Sequence, residues 1–313
     1  MSDTANGGLS EATKDTGRGA RWGVRREEMV LAFALVMPAV LWVLTFVLYP
    51  VLYNFALSFE TNLSLDGLRS ASLELYSAAL SDPDVWKQVG LTLLWTGGNL
   101  LLIVPFGMGI ALLLNQELPG LRRIRSWILL PWIFPVIIIV LLWRLILDPN
   151  VGIVNYVLQV VGLAESPVNF LGQSLALFTV ILTNAWRWIP FFAIVMLAAL
   201  QNVPRELHES AAVDGATAFR RFWSITLPQL YSSLVVNVFI LTMFLFNMFP
   251  PIWLMTRGGP GEATTTVPVG LYRTAFELFQ IERGAVLTAI LLVFVAAFSI
   301  LYWLTLGRRF ERG

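Results

Sequence analysis

Residues 29–59 read MVLAFALVMPAVLWVLTFVLYPVLYNFALSF and contain no Asp, Glu, Lys or Arg. About 20 apolar residues in a helix cross the hydrocarbon of a bilayer, so this run is long enough to span it. Six further runs are equally free of charge: 88–116, 126–143, 166–186, 188–204, 222–256 and 284–307. Charged residues make up 13% of the chain and mean hydropathy is +0.72, whereas about a quarter of an ordinary soluble domain is charged. Helices are the expected form, because an unpaired backbone N–H or C=O in lipid costs several kcal/mol. Barrel strands alternate polar and apolar residues over roughly ten positions, and these runs do not.

Arg187 alone divides 166–186 from 188–204, so those two runs join into one helix. The reading is then an all-α integral membrane protein of six spans, near 30–56, 89–114, 125–147, 174–200, 230–255 and 284–306. Residues 1–27 are polar and read as a flexible tail, 28–307 as the membrane domain, and 308–313 as a second tail. The first run starts late, is long, and has no A-x-A-like site closing a short apolar region, so it reads as an anchor rather than a leader. The loop 57–87 carries short helical pieces near Leu73–Ala79 and Asp82–Gln88, and Asn155–Leu163 is apolar but too short to span. Several tryptophans (Trp42, Trp86, Trp95, Trp127, Trp132, Trp143 and Trp303) fall mostly near span ends, as interfacial anchors do.

Lys and Arg in the flanking loops orient such a chain. Lys14, Arg18, Arg21, Arg25, Arg26, Arg122, Arg123, Arg125, Arg205, Arg220, Arg221, Arg308, Arg309 and Arg312 fall on one side, 14 of the 21 basic residues. Arg69, Lys87, Arg257, Arg273 and Arg283 fall on the other. Both termini are therefore expected in the cytoplasm.

Composition also excludes several classes. A formal net charge of +1 provides no basic face for nucleic acid. With no cysteine there are no disulfides, Fe–S clusters or thiolate chemistry, and one histidine is too few for a metal site. Lys14 and Lys87 are the only lysines and neither follows G-x-x-x-x-G, so this chain holds no P-loop and should not hydrolyse ATP. His208 alone reads as a surface or packing residue. A membrane-embedded enzyme would need an acid/base pair or metal cluster in its spans, and none is there. An ion-coupled secondary carrier usually places acidic residues inside spans, and none of these six has one.

The loop between the fourth and fifth spans, about 202–228, looks structured. Asn202 is a candidate N-cap with Pro204 in the first turn. Leu207, Ala211 and Ala212 share a helical face, and Asp214-Gly215 ends that helix, Gly supplying a left-handed residue. A second short helix with Phe219, Phe222 and Ile225 follows, and Leu227-Pro228 is expected to stop it.

The segment Glu206-Leu207-His208-Glu209-Ser210-Ala211-Ala212-Val213-Asp214-Gly215-Ala216, with Phe222 and Ile225-Thr226-Leu227-Pro228, resembles the EAA loop of binding-protein-dependent ABC import permeases. Ser210 replaces one Ala of that motif, and His208 stands where an aromatic is usual. Met255-Thr256-Arg257-Gly258-Gly259-Pro260, then Thr264, Leu271-Tyr272 and Ala275-Phe276, resembles the outer loop after the fifth span in carbohydrate-type (maltose- or glycerol-phosphate-like) members. Trp143-Arg144 with Asp148-Pro149, Gly152 and Asn155 is similar to that subgroup too, and the resemblance covers about 30–307.

The resemblance implies a type I ABC importer permease in a bacterial or archaeal plasma membrane, moving a sugar or sugar derivative inward by alternating access. Glycerol phosphate or another anionic polyol is the alternative cargo. Its partners would be a second permease, two cytoplasmic ATPase subunits holding ATP and Mg, and an external solute-binding protein. Glu206, Glu209, Ala211, Ala212, Asp214, Gly215, Ala216, Phe222, Leu227 and Pro228 would couple to the ATPases. Arg220 and Arg221 would hold the ATPase surface or lipid headgroups, or merely mark topology.

Arg187 lies near the middle of the fourth span, within Asn184-Ala185-Trp186-Arg187-Trp188-Ile189-Pro190. A charge at that depth costs about 2.5 kcal/mol or more and should face the bundle interior or a wet cavity. Trp186 and Trp188 could stack on a sugar ring, and Asn184 could bond its hydroxyls; the competing reading is a structural charge paired across the bundle. Asn237 and Asn247 on the fifth span are further substrate-pathway candidates, with Thr92, Asn99, Thr183 and Thr242 behind them.

Overall fold

A computed structural model describes residues 26–59, 72–116 and 120–306; of the predicted tails 1–27 and 308–313, residues 1–25 and 308–313 lie outside the described residues, and Arg26 and Glu27 already belong to the first helix. All regular elements among the described residues are helical. The order is α1 (Arg26–Val43), a π-helical turn (Leu44–Leu48), α2 (Tyr49–Ser58), α3 (Glu74–Ser81), α4 (Pro83–Leu114), α5 (Leu121–Trp127), α6 (Leu130–Ile133), α7 (Val136–Ile146) and α8 (Ile153–Val160). There follow α9 (Ala176–Leu200), α10 (Arg205–Val213), α11 (Ala218–Arg221), a π turn (Phe222–Thr226), α12 (Leu227–Phe246), α13 (Pro250–Thr256), α14 (Val267–Tyr272), a π turn (Arg273–Glu277) and α15 (Ile281–Thr305).

Residues up to Tyr53 and from Asn54 onward form two units. The first unit presents every residue from 29 to 53 to its surroundings, apolar all round, as a helix in lipid or against another apolar chain does. In the second unit α4 and α9 pack along their lengths, and α12 crosses both. Their core includes Trp95, Ile103, Ala111, Val180, Phe192, Met196, Leu230 and Leu245, all buried. Trp95 Nε1 donates to the Leu245 carbonyl at 3.1 Å and ties α4 to α12.

Five helical stretches among the described residues are long and apolar enough to cross a membrane: Met29–Ser58, Pro83–Leu114, Ala176–Leu200, Ala218–Phe246 and Ile281–Thr305. The expected span 125–147 is instead divided into α5, α6 and α7, the last only 11 residues long. Proline is the cause: Phe134 before Pro135 is extended (φ −63°, ψ 141°), because the ring disfavours helix at the preceding residue. At about 1.5 Å per residue, α7 covers roughly half of a 30 Å core.

The expected fifth span, 230–255, is shifted. Its helix begins at Ala218, α12 ends at Phe246, and Pro250-Pro251 open the separate α13. The predicted stop at Leu227-Pro228 is a π turn instead, in which the Leu227 N–H donates to the Phe222 carbonyl. Proline cannot donate and crowds the carbonyl four residues back. Widening the turn by one residue accommodates the ring without ending the helix. The same device precedes Pro50, where Tyr49 N–H donates to Leu44 O.

The segment after α13 is tightly held. Thr264, Thr265 and Thr266 are buried; the Thr256 and Thr264 hydroxyls lie 2.6 Å apart, and Thr265 Oγ1 donates to Gly258 O at 2.9 Å. Val267 N–H donates to Thr92 Oγ1 at 2.9 Å, joining this segment to α4. Gly258 has φ +85° and a Cβ there would meet Thr265 Oγ1 at 2.7 Å, so glycine is required twice over. The apolar stretch at Asn155 forms α8, and Asn155 clamps its loop: Nδ2 donates to the Asp148 and Val168 carbonyls, and Oδ1 accepts from Val168 N–H.

Candidate functional site

Two groups of residues carry the chemistry, both in the second unit. The first is the knob formed by α10 and α11. Asn202 does not cap α10; its Nδ2 donates to Ala198 O at the end of α9, and the extended Pro204 precedes Arg205. Proline at this place loses no hydrogen bond, since a helix's first N–H groups have no internal partner. The other end matches expectation. Gly215 has φ +77°, Ala216 N–H donates to Ala211 O at 2.9 Å and Gly215 N–H to Ala212 O at 3.0 Å, the paired bonds of a Schellman cap. Thr217 then caps α11, its side chain accepting from Arg220 N–H.

The knob is closed on itself by Arg221, which donates to the His208 carbonyl at 3.4 Å. Glu206, Glu209, Ala212, Asp214, Gly215 and Pro228 are exposed, whereas Ala211, Ala216, Phe222 and Leu227 are half-buried. Val213 (88%), Phe219 (74%) and Trp223 (53%) are also exposed. Phe219 and Trp223 lie with ring centroids 6.1 Å apart. Three large apolar side chains ringed by charge on a small polar protrusion suit a protein partner better than water. Val213 and Trp223 carried no signal in the motif and were missed; their exposure exists only in the fold. Because α11, the π turn and α12 form one helical stretch, the knob is rigidly attached to a span.

The second group lies on α9, which runs unbroken through Pro190. Asn184 is 2% exposed, and its Nδ2 donates to Oδ1 of the fully buried Asn99 at 2.7 Å. Asn99 Nδ2 in turn donates to Trp95 O. The amide expected to meet cargo hydroxyls therefore joins α4 to α9. Trp188 is buried, with Phe191 edge-on to it (5.7 Å) and Phe244 tilted against it (5.9 Å), so it packs within the bundle rather than standing open to cargo. Trp186 stays partly exposed, edge-on to Trp143 at 5.6 Å.

Arg187 is half-buried with its guanidinium carbon 5.9 Å from the Trp188 ring centre, at the edge of cation–π range. No carboxylate pairs with it among the described residues. Arg187 Nε, Trp188 Nε1, Trp143 Nε1 and Asn184 Oδ1 are all buried without a hydrogen-bond partner among the described residues. Buried polar groups nearly always have partners, but Thr96 Oγ1, Tyr231 Oη and Thr266 Oγ1 are equally unpartnered elsewhere, so these atoms alone do not single out a site.

Asn237 does not join this group. It lines a separate groove between α9 and α12. Asn247 is the exposed residue that ends α12, its Nδ2 donating to Met243 O at 3.0 Å. Among the described residues no His, Cys, Asp or Glu cluster could hold a metal ion.

The chain matches, over residues 103–309, the family described as binding-protein-dependent transport system inner membrane component. It belongs to that family. The permease is 32% identical over 91% of its length to the trehalose/maltose transport system permease protein MalF of Thermococcus litoralis, covering 96% of that protein. It is also 32% identical to the sulfoquinovosyl glycerol transport system permease protein SmoG of Agrobacterium fabrum, over 89% of this chain and 90% of that one. In fold it resembles a chain in the crystal structure of a bacterial alginate ABC transporter with a periplasmic protein, with TM-score 0.78, 23% identity, and coverage of 88% and 93%. This is a multi-pass membrane protein and a transport subunit of an ABC importer.

Proposed function

We propose that this permease forms one half of a two-permease pathway that imports a sugar or sugar derivative, driven by two cytoplasmic ATPase subunits. An external solute-binding protein delivers the cargo, and ATP and Mg are held by the ATPase subunits. Both termini and the knob at 202–228 face the cytoplasm in this reading, which the distribution of arginines supports. The names of the relatives, for trehalose/maltose and for sulfoquinovosyl glycerol, support a glycoside cargo.

The observation that carries the proposal is the helical continuity from α11 into α12. A knob capped by Gly215, cross-tied by Arg221 and continuous with a span turns as one body. Closure of an ATPase around its exposed face would rotate the cytoplasmic end of α12. A slack loop of the same length would absorb that motion instead. Glu206, Glu209, Ala212 and Asp214 supply the contact surface, Ala211, Ala216 and Phe222 the internal packing, and Leu227-Pro228 the joint to the span.

Arg187 and Trp186 are the members of the α9 group that face outward enough to meet cargo. Asn184 and Trp188 position them. Arg187 lacks a carboxylate partner among the described residues and favours, as a second reading, an anionic sugar derivative. Affinity purification of the tagged chain from its native membrane tests the proposal. A second permease and an ATPase should accompany it, and the complex should hydrolyse ATP faster with loaded binding protein. A chain that purifies alone and drives uptake from an ion gradient would overturn it.

A further inference from the structure

A cavity of about 210 Å³ opens between α7 and α13, lined on α7 by Ile137, Leu141 and Arg144 and on α13 by Trp253, Leu254 and Arg257. It lies at the end of the bundle away from the knob, since α12 starts at the knob and Pro250 opens α13 just past its far end. Residues three, four and seven apart share a helix face, so Ile137, Leu141 and Arg144 form one stripe of α7 about 10 Å long. Arg144 is in the last turn of α7, and Leu141 and Ile137 lie successively deeper. Leu254 and Arg257 repeat the pattern on α13, with Arg257 as its C-cap. Two guanidinium groups thus share a cavity whose remaining walls are apolar or aromatic.

Other basic residues at this end have partners. Lys87 and Arg273 pair with Glu262 at 3.3 and 3.8 Å, Arg273 also with Glu277 at 3.8 Å, and Arg283 donates to Gln280 Oε1 at 3.2 Å. The side chains of Arg144 and Arg257 make no ion pair or hydrogen bond among the described residues. Asp148, four residues beyond Arg144, accepts instead from the Asn150 and Val151 N–H groups at 2.8 and 3.1 Å. Ile137, Ile138, Leu141 and Leu145 are all exposed around Arg144, as on a face that meets lipid. A guanidinium in such surroundings needs an opposite charge. Each arginine stands at a helix C-terminus, which offsets at most about half a charge, so about one positive charge is left over.

We infer that this cavity binds one anionic phospholipid, its phosphate between Arg144 and Arg257 and the start of an acyl chain along Leu254, Leu141 and Ile137. The charge left over matches one phosphodiester, and the planar fork of arginine suits phosphate oxygens. Trp253, stacked on Phe249 at 5.5 Å and tilted against Tyr272 at 4.8 Å, supplies the kind of amphipathic ring found at headgroup level. A soluble anion would satisfy the arginines and leave the apolar bed bare. A zwitterionic lipid would fill the bed but bring its own cation to the pair. The inference rests on the membrane embedding of the chain and not on its cargo.

The test places the complex, purified through a tag on this chain with the subunits that accompany it, in lipid nanodiscs. These contain photoactivatable phosphatidylglycerol or phosphatidylcholine, with a diazirine near the headgroup end of one acyl chain, and adducts are mapped by peptide mass spectrometry. Phosphatidylglycerol should label 136–146 and 250–257 roughly tenfold or more above phosphatidylcholine, the factor a charge-assisted contact supplies. Arg144→Gln with Arg257→Gln should bring the two lipids level. Arg144→Lys with Arg257→Lys should keep most of the preference, and Lys87→Ala all of it. Excess inorganic phosphate should leave the labelling unchanged. Equal labelling of the unsubstituted complex by both lipids would overturn the inference, since ordinary surrounding lipid would then occupy the cavity. Displacement by inorganic phosphate would overturn it in favour of a soluble anion. Absence of label in the assembled complex would overturn it too, because a partner subunit would then cover the arginines. If the double glutamine variant fails to assemble, the comparison of the two lipids on the unsubstituted complex still decides.

Discussion

Replacing Gly215 probes the coupling geometry with little else disturbed. Its φ of +77° lies in the left-handed region, and no heavy atom lies within 4 Å of where a Cβ would be. A substituted side chain therefore meets no clash, and the whole penalty is conformational. An L-residue with a Cβ pays about 1–2 kcal/mol to hold this region, a β-branched one more, and Asn less because it visits the region readily. The lost element would be the cap in which Ala216 N–H reaches Ala211 O, which sets how α10 turns into α11. A penalty of that size shifts a two-state equilibrium by roughly 5- to 30-fold. In vesicles containing the complex, binding-protein-stimulated ATP hydrolysis and uptake should fall in the order Gly, Gly215→Asn, Gly215→Ala, Gly215→Val. Gly215→Asn should stay near wild type, Gly215→Ala should lose about 5- to 30-fold, and Gly215→Val should be nearly uncoupled, while membrane insertion is unchanged. Full uptake by Gly215→Val, or equal loss in Gly215→Asn and Gly215→Val, would refute the reasoning.

Other substitutions separate structural from functional roles. Arg187→Gln should reduce uptake while leaving assembly intact; unchanged uptake and ATPase stimulation would remove Arg187 from the site. Asn99→Leu or Asn184→Leu alone should destabilise the detergent-solubilised complex by about 1–2 kcal/mol, by thermal unfolding, and the double variant by less than the sum, since the two share one bond. Gly152→Ala should depress the yield of folded protein sharply, because its Cβ would collide with the backbone of Asp148 and Ile146, which cannot move aside. Lys87→Ala, which removes an exposed ion pair to Glu262 at 3.3 Å, should change stability by less than about 1 kcal/mol, and less still at high salt.

The helical membrane character was readable in the charge-free runs, since residues 284–306 and 174–200 correspond to α15 and α9 within two or three residues. Where the reading failed, proline was the reason, in opposite directions. Pro135 broke a run that charge alone made look continuous, whereas Pro228, expected to stop a helix, sits inside one because a π turn relieves it. A single sequence carries the ring but not the turn that absorbs it. The α9 site was legible as a charge with polar and aromatic neighbours at an impossible depth for lipid. Which of them point outward was not, because Asn184 is claimed by Asn99 across 85 residues and Trp188 by Phe244 across the bundle. The knob was the most legible part, since its cap depends on Gly215 and on bonds spanning only six residues.

The measurement closest to the central claim is a proximity test between the knob and an ATPase. Ala212→Cys, exposed on α10 in a chain with no other cysteine, is treated with a short bifunctional thiol-to-amine cross-linker in intact membranes. The coupling account predicts a covalent adduct of this permease with an ATPase subunit, whose yield changes when ATP and vanadate close the ATPases. An adduct with Leu304→Cys, exposed near the end of α15, but none with Ala212→Cys, in a complex that still imports its cargo, would contradict it.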